Sequence, residues 1–115
     1  MTAAQLELDL AELVVPDYTP EMTLAERFAE FNSRNPHVAD ALEALAEQWL
    51  AAGHKRASMD ALMHRLRWES GIQTHGDVYQ LNNSWCAFYV RLLIERRPEW
   101  AEAFQTRRSQ ADPDG

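Results

Sequence analysis

A chain of 115 residues, 46% of them hydrophobic, makes one small domain with tails and offers no volume for a deep substrate cavity. The formal net charge of −7 argues against a generic nucleic-acid binder. One cysteine, Cys86, allows no disulfide within a copy, and with no signal-like leader or membrane-length apolar run the expectation is a soluble, cytoplasmic protein.

Residues 1–22 read as a mobile tail, because Pro16 and Pro20 break regular structure around Asp17, Tyr18 and Thr19. Within the tail, QLELDL (residues 5–10) alternates leucine with polar or acidic residues. An extended peptide would place Leu6, Leu8 and Leu10 on one face. Leu6, Leu10 and Leu13 also fit one face of a helix, so a docked helix, an added strand and a bait for another protein are all open.

The body, residues 23–105, reads as four to five helices. Thr23 caps the first and Glu26 completes a capping box, with Leu24, Phe28 and Phe31 pointing inward. Asn35-Pro36 opens the second, Asn as the cap and Pro at the first helical position. Its apolar series is Val38, Ala41, Leu42, Leu45, Ala46, Trp49 and Leu50, and Gly53 ends it. After the basic connector HKRA, Ser58 caps a third helix with Met59, Leu62, Met63 and Leu66 inward and Gly71 as its stop.

Residues 72–81 alternate around Gly76-Asp77 and predict a short β-hairpin or extended loop. Asn82 caps a fourth helix bearing Trp85, Phe88, Tyr89, Leu92 and Leu93. Pro98 breaks it and starts a short last helix in which Trp100, Ala101 and Phe104 pack back. Residues 106–115, polar with Pro and Gly, read as a second tail. The fold class is therefore an all-α bundle, with the candidate hairpin as a wing.

Two helices, a basic turn, a third helix and a hairpin give the order of a winged helix-turn-helix. Residues 1–52 carry ten acids and two bases, whereas residues 53–97 carry seven bases and four acids. That asymmetry suggests a polar partner on one face, or merely solvated helix faces. On the DNA reading Lys55, Arg56, Arg65 and Arg67 meet phosphates, and Gln80, Asn82 and Asn83 meet bases or phosphates. Trp49 stands where such motifs carry a small residue.

QLELDL resembles the hexapeptide QLxLxL by which bacterial replication and repair proteins dock on the β sliding clamp. The resemblance covers six residues. It implies that Gln5 hydrogen-bonds at the pocket mouth, that Leu6 and Leu8 enter the hydrophobic cleft, and that Leu10 fills a deeper subsite. Asp9 departs from the proline or small residue common at its position. Residues 28–104 are in addition similar to small proteins of actinobacteria and their phages, in the NPHV start, the GHKR turn, the LRWE segment and the LNN…YVRLLIE…P ending. That resemblance implies a helical domain of mobile-element origin and no particular activity.

Nothing in the sequence suggests an enzyme, a cofactor or a metal. His37, His54, His64 and His75 lack ligand spacing, and Cys86 has no base at a fixed offset. Glu43 and Glu47 are four apart, as on many solvated helix faces, and the four glycines form no phosphate loop. Trp68, off the core stripe between Arg67 and Glu69, packs under the hairpin or meets a partner.

The leading expectation is a non-enzymatic phage or mobile-element adaptor. Its tail docks on the sliding clamp, and its helical domain engages DNA or a replication protein. A helix-turn-helix regulator with a structural N-terminal segment is the second reading. A protein-interaction module or homodimer without nucleic acid is the third.

Overall fold

The structure, a computed structural model, describes residues 10–74 and 81–104. Four α-helices, α1 (Leu24–Arg34), α2 (Pro36–Ala51), α3 (Met59–Thr74) and α4 (Cys86–Arg96), form an all-α fold. A 3-10 turn, Asn83–Trp85, leads into α4, and another, Pro98–Trp100, follows it. There is no strand among the described residues. Residues 75–80, on which the expected hairpin turn falls, and the expected tail 106–115 lie outside them.

The helix starts follow from short-range hydrogen bonds. Thr23 and Glu26 close the expected capping box: the Glu26 amide donates to Thr23 Oγ1 at 3.1 Å and the Thr23 amide to Glu26 Oε1 at 2.8 Å. Ser58 Oγ accepts from the Ala61 amide at 3.2 Å. Asn82 Oδ1 accepts the amide and the hydroxyl of Ser84, at 3.0 and 2.7 Å. Gly53 follows α2 with φ of 108°, a left-handed conformation that costs glycine nothing.

Four local expectations fail. Gly71 does not stop α3, which runs on to Thr74. A glycine inside a helix costs only about 1 kcal/mol, and Ser70 beside it is fully buried, so packing carries the helix past it. Leu24 is 42% exposed rather than inward. The rings of Trp85, Phe88 and Tyr89 gather around Phe28, one turn further on. Trp49 is 45% exposed, and Ala39 is buried instead. In the final turn Ala103, not Ala101, is buried with Trp100 and Phe104.

Asn35 also departs from its expected role, since its side chain makes no cap bond to α2. Pro36 at the first helical position already removes one donor that needs a cap. Asn35 Oδ1 accepts the Val14 amide at 2.7 Å, and Nδ2 donates to the carbonyls of Val14 at 2.8 Å and Phe31 at 3.0 Å. The segment before α1 is thereby fastened to the body. Pro16 is buried on it, and Leu10, Leu13 and Tyr18 pack against the core.

The core is one continuous cluster. Phe28 and Phe31 of α1 meet Trp85 and Tyr89, with ring centroids 4.4–5.9 Å apart. Leu42 and Leu45 of α2, Met63 and Leu66 of α3 and Leu93 of α4 fill the rest. The Ala57 amide donates to the Ala103 carbonyl at 2.9 Å, which ties the α2–α3 connector to the last turn.

Candidate protein-interaction groove

Where the end of α2, the connector, the start of α3 and the first half of α4 converge, they leave an open groove of about 1390 Å³. Leu45, Leu62, Val90 and Phe104 supply apolar lining from four separate elements. Trp49 and His54 line it from α2 and the turn after it, with their rings stacked at 3.6 Å. The Trp49 indole donates to the Arg56 carbonyl at 2.7 Å, so the ring that misses the core is locked onto the connector. Arg56, Arg65 and Arg91 line the groove against one carboxylate, Asp60, which gives it a cationic edge.

The volume exceeds the roughly 300–1,000 Å³ of small-molecule pockets. An open apolar trough with charged edges suits a segment of protein better. Its chemistry is also quiet. Cys86 lines it, but burial, and then the charge of Asp60, push the thiol above its ordinary range against the opposing pull of Arg67. Cys86 Sγ lies 3.2 Å from Met63 Sδ, a thioether and no base. Among the described residues no three His, Cys, Asp or Glu side chains could hold a metal ion. None of the described helices is long and apolar enough to cross a membrane.

The structure gives the residues named for DNA contact other neighbours. Arg67 donates to the Leu81 carbonyl at 2.9 Å and to Asn83 Oδ1 at 2.8 Å, joining α3 to the turn before α4. Asn82 is the cap of that turn. Arg65 pairs with Glu69 at 3.0 Å. Lys55 and Arg56 are exposed in the connector. Arg67, Asn82 and Asn83 are thus brought together, while Lys55 and Arg56 stand at the other end of α3. Gln80 lies outside the described residues.

Two further basic residues of this half face the acidic half. Arg96 donates to Asp40 at 3.0 Å and to Glu43 at 2.8 Å, and Arg97 to Glu43 and Glu47, each at 3.0 Å. Partial burial works against the charge of Arg96, but the bonds to Glu43 and Asp40 outweigh it and hold its pKa above the usual value. Charges that looked like opposite poles of the sequence therefore join α2 to α4.

Gln5, Leu6 and Leu8 of the hexapeptide lie outside the described residues. Leu10, its last residue, is half-buried against the core, and the next carbonyl, of Ala11, meets His37 Nε2 at 3.1 Å. Trp68 does not pack into the core; it is exposed on α3. Sequence reasoning missed the groove, because five parts of the chain build it. The one available signal was Trp49, too large for the position it occupies. Comparison with protein-family models, with curated proteins and with solved structures gives no match.

Proposed function

We propose that the protein is a non-enzymatic adaptor, of phage or mobile-element type, that binds proteins at two places. Its N-terminal hexapeptide docks in the cleft of the bacterial replication sliding clamp, and its helical domain receives a second protein. The observation that carries the adaptor reading is the open apolar groove with cationic edges, beside a basic half whose arginines largely bond within the fold. Support for the clamp comes from the hexapeptide itself and from its place. Asn35 fastens the chain at Val14, four residues past Leu10, so a motif bound elsewhere stays tethered to a folded body. Gln5, Leu6 and Leu8 dock first, and Leu10 follows by giving up its partial contact with the core.

The second reading is a helix-turn-helix-like regulator that presents α3 to DNA. The exposure of Lys55 and Arg56 between α2 and α3 favours it. The bonds that Arg67, Asn82 and Asn83 already make weigh against it.

Co-elution with a purified bacterial sliding clamp in size-exclusion chromatography tests the adaptor reading. The wild-type chain is expected to move into the clamp peak. A Gln5→Ala, Leu8→Ala double variant is expected to stay behind at an unchanged melting temperature. Co-elution of both chains, or of neither, would rule out the hexapeptide as the docking element.

A further inference from the structure

α3 has a second face besides the one it buries. Met59, Leu62, Met63 and Leu66 enter the core. On the outer side Ala61, Arg65, Trp68 and Ile72 follow one another at four, three and four residues, which aligns them in a single stripe. All four are exposed, Trp68 at 66% and Ile72 at 57%, and neither of these large side chains belongs to the core cluster. Two large apolar residues one turn apart on an outer helix face are the usual mark of an interface.

The stripe complements itself. Rotation by a half-turn about a point between Leu66 and Arg67 lays a second α3 antiparallel on the first. Ala61 then faces Ile72 of the second copy, small against large. Arg65 faces Trp68 of the second copy, a guanidinium against an indole face. Glu69, paired with Arg65 at 3.0 Å within its own chain, comes within one residue of the level of Arg65 of the second copy. The two ion pairs therefore close into a ring of four alternating charges. Parallel pairing would instead set arginine on arginine. A two-fold interface makes each contact twice, which is the self-matching this series shows.

We propose that this face of α3 is a homodimer interface, with the two helices antiparallel in that register. Ala61 and Arg65 also line the groove, so Ile72 of the second copy arrives at its edge. Each copy contributes a single helix face, so a weak association is expected, with a dissociation constant in the micromolar range. The dimer stands independently of clamp docking.

Register is tested by cross-linking full-length chains in a Cys86→Ser background with a short bismaleimide. Ala61→Cys and Ile72→Cys together in one chain are expected to give a covalent dimer. Ala61→Cys alone is expected to give none, because antiparallel pairing holds the two copies of residue 61 roughly 16 Å apart along the helix. Self-linking of Ala61→Cys, or no linking of the double variant, would overturn the proposed register. Sedimentation equilibrium tests the association itself. Wild type is expected to shift from one chain to two across the micromolar range. Trp68→Arg, which sets a cation against Arg65 of the second copy, is expected to raise the dissociation constant at least tenfold, with the melting temperature of the dilute monomer unchanged. A wild type that stays monomeric, or a Trp68→Arg chain that associates as tightly as wild type, would overturn the interface.

Discussion

Asn35 has no exposed surface, and the three hydrogen bonds of its side chain all end on backbone, two at Val14 and one at Phe31. Alanine there would leave the amide and carbonyl of Val14 without these partners. Solvent can reach Val14, so the cost falls at about 2 kcal/mol rather than higher. Thermal melting of Asn35→Ala should show that loss, together with faster proteolysis between Leu10 and Tyr18. An unchanged melt would mean that the strap is not fastened there. Cys86 makes the opposite kind of claim, about reactivity. With its thiol pushed up by burial, less thiolate is present at neutral pH than on an exposed cysteine. Alkylation of Cys86 should therefore be slow at pH 7, with the midpoint of its rate profile at a higher pH than that of an exposed cysteine. A rate profile that levels off at or below the ordinary thiol range would contradict it.

At the scale of elements, α2 and α4 are joined by Asp40, Glu43 and Glu47 against Arg96 and Arg97, with Glu43 bonded to both arginines. These side chains are partly solvated, so each pair contributes little. A double-mutant cycle with Glu43→Gln and Arg96→Gln should return a coupling of about 0.5 kcal/mol that shrinks in high salt. A coupling near zero at low salt would show that the bridge adds no stability. The same elements show what the sequence made legible. Thr23 with Glu26, Ser58 with Ala61, and Asn82 with Ser84 are pairs two or three residues apart, so the starts of α1, α3 and the turn into α4 could be read locally. Met59, Leu62, Met63 and Leu66 repeat at helical spacing and are buried as expected. Asn35 was misread because its partner lies 21 residues away. Gly71 was misread because buried Ser70 and the packing around it override a local stop signal.

Over the whole molecule, the charge pattern was legible and its meaning was not. The excess of bases in residues 53–97 suggested a face for a polyanion, yet Arg96 and Arg97 answer the acids of α2 across the fold. Arg65 and Arg67 are likewise paired within their own half. The groove left only Trp49 as a local sign, since α2, the connector, α3, α4 and the last turn each give it a wall. With Arg65, Arg67, Arg96 and Arg97 so engaged, the proposed reading favours protein partners over DNA. Leucines entering a cleft respond weakly to salt, whereas phosphate contacts weaken steeply as salt rises. The most direct measurement is calorimetric titration of the full-length protein into a bacterial sliding clamp, and into duplex DNA, at low and at physiological salt. Micromolar clamp binding that is nearly independent of salt, and no heat with DNA, are the expected results. Absence of clamp binding, together with DNA binding that collapses between the two salt concentrations, would contradict the proposed reading.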